Sequence, residues 1–250
     1  MDSYANSATG PGIVWGLPAT ILWGLLVAVV FVFAHVFGLG LYIGLIEPAV
    51  DESRVEQLMT EYQFHGLAIS FGMFFALALC LPLVLAAIKL KKGANLRRYL
   101  GLRLFTARSF GFWFLIIFGY LLAYDGLAYL LGRAIVPDFS IAIYVSANGS
   151  WVLWLAIVLA APLLEEVLFR GFLFSGLASS ITGPVGAVFI TSAIWAVIHN
   201  QYDYFWMFSI FLIGLALGTV RYKTGSLVLT FVLHALINLG AMTVTAIAVA

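Results

Sequence analysis

A chain of 250 residues with 64% hydrophobic and only 9% charged side chains lacks the polar surface of a water-facing body, which carries about 25% charged residues. A mean hydropathy of +1.09 excludes an ordinary soluble domain, and a formal net charge of +1 gives no handle for nucleic acid or an acidic partner. The single cysteine, Cys80, lies in an apolar run and has no partner for an internal disulfide.

Seven apolar stretches follow one another: Ile21 to Ile46, Gly66 to Ile88, Ser109 to Leu131, Trp151 to about Ser175, Pro184 to His199, Phe205 to Val220 and Leu227 to Ala250. They are long and continuous, without the apolar–polar alternation of lipid-facing strands, so helices are expected. Abundant Gly and Ala suits helices that pack closely in lipid. The first stretch exceeds the h-region of a signal peptide, and Met1 to Gly12 carries no Lys or Arg, so an uncleaved span is expected there. The predicted fold class is all-α: a polytopic transmembrane helical bundle forming a single integral membrane domain over residues 1–250.

Orientation is read from the basic residues. Lys89, Lys91, Lys92, Arg97, Arg98, Arg103 and Arg108 fall in one loop with no acid among them, which places loop 89–108 in the cytoplasm. Arg221 and Lys223 belong to the same side if the spans alternate. The acidic turn of Asp51, Glu52, Glu56 and Glu61 then faces outward.

An ionisable side chain at the centre of a span costs at least ~2.5 kcal/mol, so each one calls for a reason. His35 and Asp125 stand alone in the first and third stretches and read as structural hydrogen-bonding groups. The second half of the chain differs, because three separate stretches each supply groups fit for acid–base chemistry. Glu165, Glu166 and Arg170 lie in the fourth, His199 and Asn200 end the fifth, and His234 and Asn238 occupy the seventh. Scattering them over lipid-facing positions would be costly, so they are expected to converge.

Spacing assigns roles. Glu166 and Arg170 are i,i+4 and can pair on one helix face. Glu165 is turned about 100° away and is left for another element. His234 and Asn238 are also i,i+4 and share a direction. Pro162 frees a backbone carbonyl one turn earlier and is expected to bend its helix. Glu165 then serves as base, His199 orients it and its water, and the N–H groups of His234 and Asn238 stabilise an oxyanion. No Ser or Cys sits beside a base, which disfavours an acyl-enzyme. Two histidines and a Glu are zinc-compatible, but there is no His-Glu-x-x-His helix and Asn is a poor zinc ligand, so neither metal nor cofactor is expected.

The run Glu165-Glu166-Val167-Leu168-Phe169-Arg170 resembles the Glu-Glu-x-x-x-Arg motif of the CAAX-processing and bacteriocin-processing (CPBP, or Abi) intramembrane proteases. Trp195 to His199 resembles their second motif, which usually begins with Phe, and His234 to Asn238 resembles their third, His-x-x-x-Asn. Residues 151–238 carry these motifs. The resemblance implies an intramembrane endopeptidase in which Glu165 and His199 activate water while His234 and Asn238 hold the oxyanion. It also implies a membrane-associated protein or peptide substrate, lipidated or not, besides contact with membrane lipids. Family members carry eight spans, so seven to eight are expected here.

Two other readings fit part of the pattern. A non-catalytic scaffold or immunity protein would use the polar cluster as glue between helices. A proton-coupled transporter would also place Glu and His in a membrane, but it needs broken helices and paired repeats, neither of which the sequence displays. One tension remains within the reading. His234 and Glu165 lie about 10 Å from the cytoplasmic end of their stretches and His199 some 22 Å, at 1.5 Å per residue. They cannot meet unless the fifth helix starts differently or tilts strongly.

Overall fold

The computed structural model describes residues 13–49 and 51–250, so the Met1 to Gly12 segment lies outside the described residues. Among them all regular structure is helical. The long helices are α1 (Leu17–Ile46), α3 (Gly66–Leu90), α5 (Ala107–Leu130), α7 (Trp151–Ala178), α9 (Tyr204–Thr224) and α10 (Leu227–Ala248), and all six have the length and hydropathy to cross a bilayer. A fifteen-residue apolar helix, α8 (Gly183–Val197), completes the match with the seven apolar stretches. Short helices α2 (Val55–Tyr62), α4 (Leu96–Leu100) and α6 (Asp138–Ser146) lie in the connections. The chain is an integral membrane protein of the bundle type.

The packing separates a lipid-facing periphery from a polar centre. On α1, Leu22, Leu25, Val29 and Phe33 are exposed, as are Phe112, Leu115 and Leu122 on α5. α1 crosses α3 at Gly38 and Gly72. A methyl group on Gly38 would lie 2.6 Å from the Gly72 Cα, so no larger residue fits without parting the helices. His35 Nδ1 donates within its own helix, to the Phe31 carbonyl at 3.1 Å, and its ring is seated over Gly72. Among the described residues it bridges no helices by hydrogen bond. α5 is tied to α9 by tyrosine hydroxyls: Tyr120 bonds Ser209 and Tyr124 donates to the Phe205 carbonyl at 2.6 Å.

α7 sits between these groups and is irregular. Turns of π-helix occupy Ala156–Ala160 and Glu166–Leu173, with Ala161 N–H bonded to Ala156 O and Phe174 N–H to Phe169 O, five residues back. Proline 162 has no N–H to continue the ladder, which accounts for the irregularity at the first of them. The expected bend is realised as a change of helical register.

The basic loop packs into the bundle. Its α4 turn carries Tyr99 and Leu100 into the bundle, both 2% exposed, while Arg97 and Arg98 stay outside. Tyr99 stacks on Phe172, and Ser175 Oγ donates to the Tyr99 carbonyl at 2.8 Å. Gly101 caps α4 with φ +69°, and a Cβ there would come within 2.6 Å of both the Arg221 guanidinium and the Gly225 carbonyl. Only glycine combines that left-handed backbone with that approach. Leu227 N–H donates to Gly101 O, so α10 begins buried beneath this loop. Arg221 thus shares an end of the bundle with the basic loop. A reporter active only outside the cell should stay silent when fused at the exposed Asn95; activity there, with silence in the turn around Glu56, would reverse the orientation.

Candidate active site

The polar groups converge where α7, α8 and α10 cross. α7 brings Glu165 and Glu166. A π turn holds more residues than an α turn, so neighbouring side chains diverge by less than 100°, and here both glutamates address one histidine. His234 of α10 places Nδ1 2.9 Å from Glu166 Oε1 and Nε2 3.9 Å from Glu165 Oε2. Separating the two carboxylates by helical rotation, as the sequence spacing implied, is therefore incomplete.

Glu166 is fully buried and pairs with Arg170 at 2.8 Å, the expected i,i+4 contact. Arg170 is equally buried, and among the described residues its Nε and Nη2 find no hydrogen bond, nor does Glu166 Oε2. The guanidinium instead lies 4.5 Å from the centroid of the Trp195 ring, a cation–π contact in a desolvated place. Trp195 Nε1 in turn donates to Glu165 Oε2 at 2.5 Å. Glu165 keeps 15% of its side chain exposed where Glu166 keeps 1%. One glutamate is thus accessible and the other is sealed into an ion pair.

His199 does not join this contact directly. Among the described residues it bonds neither Glu165 nor His234; its Nδ1 lies 2.7 Å from the Trp195 carbonyl one turn back. A carbonyl only accepts, so Nδ1 carries the proton, and in the neutral ring Nε2 presents its lone pair. The depth tension is thereby explained. α8 starts at Gly183, as the sequence suggested, and reaches the level of Glu165 at Trp195, about 18 Å along, while Glu165 lies about 20 Å from the Ala178 end of α7. His199 lies one turn farther, linked through the Trp195 ring, whose centroid is 5.2 Å from its own.

Asn238 is placed otherwise than its spacing implied. Its Nδ2 donates to the Ile157 carbonyl at 2.8 Å. In the π register of Ala156–Ala160 that carbonyl is the one Pro162, five residues on, has no N–H to satisfy. Asn238 therefore caps the acceptor that Pro162 orphans, with its Oδ1 and second N–H left over.

Two residues went unrecognised in the sequence. Trp195 entered only as the aromatic that opens the second motif, although an indole N–H needs a partner when buried. Tyr202, in the loop after α8, carried no signal at all. Its ring packs edge-on against Phe139 of α6 at 5.3 Å and stacks with His199 at 6.4 Å. Burial pushes its phenol up, a hydrogen bond with Ser140 opposes the shift, and the negative charge of Glu165 adds to it. α6 and this loop cover the site on the side away from the basic loop. Among the described residues no group of three His, Cys, Asp or Glu side chains is arranged to hold a metal ion.

Comparison with known proteins places this region. Residues 147–240 match the family model for type II CAAX prenyl endopeptidase Rce1-like proteins. An uncharacterized 24.3 kDa protein of Escherichia coli is 37% identical over 83 residues, which cover 32% of this chain and 38% of that protein. The chain therefore spans less than half the length of the curated relative it matches, and no solved structure matches it. The matched stretch contains Glu165, Trp195, His199, His234 and Asn238 together, and with them every polar contact just described except that of Tyr202 with Ser140. In residues 147–240 the chain is therefore similar to the Rce1-like CAAX prenyl endopeptidases.

Proposed function

We propose that the protein is an intramembrane endopeptidase that hydrolyses a peptide bond with a water activated by Glu165. The observation that carries this reading is the asymmetry of the glutamates: one is buried and paired with Arg170, the other is accessible, held by Trp195 and set beside His234. Glu165 takes a proton from water as the oxygen attacks the amide carbon, and His199 orients that water through its free Nε2. The oxyanion is held by His234 Nε2–H and the second amide N–H of Asn238. His234 donates at Nε2 only if it also keeps the Nδ1 proton shared with Glu166. The imidazolium, Arg170 and the two carboxylates then sum to zero charge, a favourable count in a low-dielectric site. The leaving amine recovers the proton from Glu165. A membrane-associated protein or peptide, lipidated or not, is the substrate class.

Interhelical glue is the second reading, favoured by the partners that Glu166, Arg170 and Asn238 already have. It gives no reason for the accessible Glu165. Purified protein in detergent should cleave members of a panel of quenched peptides, and cleavage should withstand EDTA and phenanthroline because the base is a carboxylate. Loss on chelation with recovery on added Zn²⁺ would move the chemistry to metal-assisted hydrolysis. No cleavage of any peptide by wild type would favour the glue.

A further inference from the structure

Trp195 touches four of the five ionisable side chains around it. Its Nε1 bonds Glu165 Oε2, its face carries the Arg170 guanidinium, and its ring meets His199 and His234, each with centroids 5.2 Å apart. Its backbone carbonyl holds His199 Nδ1. The side chain itself is 3% exposed and packed into the cluster of Phe169, Ile213, Leu217, Leu229 and Leu233. The indole therefore has almost no freedom to turn. A carboxylate bonded to a fixed donor through one oxygen has that oxygen anchored and the reach of the other restricted, and the bond is charge-assisted. Glu165 Oε1 has no hydrogen bond within the described residues. Phenylalanine, usual at this place in the resembling proteases, fills similar space but donates nothing.

We infer that Trp195 is a positioning residue that fixes Glu165 Oε2 through its indole N–H and so aims Oε1 at the water to be activated. This rests on the hydrolase reading for its consequence, but not for its existence. The same ring lies between Arg170 and Glu165, which places one neutral side chain between the sealed ion pair and the accessible base. Misplacement of a base by a fraction of an ångström slows turnover without weakening substrate binding.

The test separates the N–H from the ring. Incorporating 3-benzothienylalanine at position 195 keeps the bicyclic shape and replaces the N–H with sulfur. Both this variant and Trp195→Phe should lower kcat about tenfold with KM changed less than about twofold. A purely structural role predicts instead that the benzothienyl variant matches wild type, and that result overturns the inference. In parallel, indole ¹⁵N–¹H spectra of wild type resolve the seven tryptophans, and Trp195→Phe identifies the Trp195 peak by its loss. Glu165→Gln should move that peak while distant ones, such as that of Trp15, stay in place. An unmoved peak also overturns the inference. If wild type cleaves no peptide, the hydrolase reading fails alone, and the indole peak still decides whether Trp195 holds Glu165.

Discussion

Glu165→Gln should lower turnover by about 10²-fold or more and leave the protein folded. Glutamine keeps the size of the side chain and still offers an oxygen to Trp195 Nε1, so the contact that positions residue 165 survives. What disappears is the capacity to take a proton from water. Because 15% of this side chain is exposed and its charge is not part of the Glu166–Arg170 pair, neutralising it leaves that buried pair intact. His199→Ala should behave in the same direction, since the ring touches the site through Trp195 and carries no tertiary hydrogen bond to another helix. Initial rates on a cleaved peptide, normalised to protein that elutes as a single species in detergent, measure the effect. Full activity per folded molecule in Glu165→Gln would remove this residue from the chemistry and leave the cluster as structural glue.

Glu166→Gln should have the opposite profile, a loss of stability first. Both members of its ion pair are wholly buried, and the Nε and Nη2 of Arg170 find no hydrogen bond elsewhere. Removing the carboxylate charge leaves a buried guanidinium with only a neutral amide oxygen and the Trp195 ring against it, and breaking such a pair from one side costs about 3–5 kcal/mol. His234 loses the anionic acceptor at its Nδ1 in the same step. The expected signs are reduced yield and a lowered unfolding midpoint in detergent. Glu166→Gln combined with Arg170→Met should recover part of the loss, because the orphaned charge is gone. A single variant as stable as wild type would mean that the pair contributes nothing, and that Glu166 is not the sealed partner its geometry suggests.

These two glutamates show how far local pattern reaches. Their separation into a paired and an unpaired residue was legible from i,i+4 spacing to Arg170, a distance set by one helix alone. That His234 contacts both was not legible, because it depends on the π register of Glu166–Leu173, which no hydrophobic window reports. Asn238 gives the same lesson. Its chemistry as a donor and the orphaned carbonyl near Pro162 were each visible in the sequence, on separate helices. Only the crossing of α7 and α10 brings Asn238 to the Ile157 carbonyl.

The sequence by itself determined the membrane class, the apolar helices, the Glu166–Arg170 pair and the residues of the resembling motifs. All of these are set within one or two turns of chain, by the transfer of side chains into lipid and by the repeat of the α-helix. The tertiary structure alone decided that Trp195 rather than His199 meets Glu165, that Tyr202 and α6 cover the site, and that the basic loop packs Tyr99 and Leu100 beneath it. Those contacts depend on where helices start, how their register shifts and which faces they turn to one another. In lipid such choices are made by close packing and hydrogen bonding between distant segments, because burying apolar surface gives no preference among helices already surrounded by hydrocarbon.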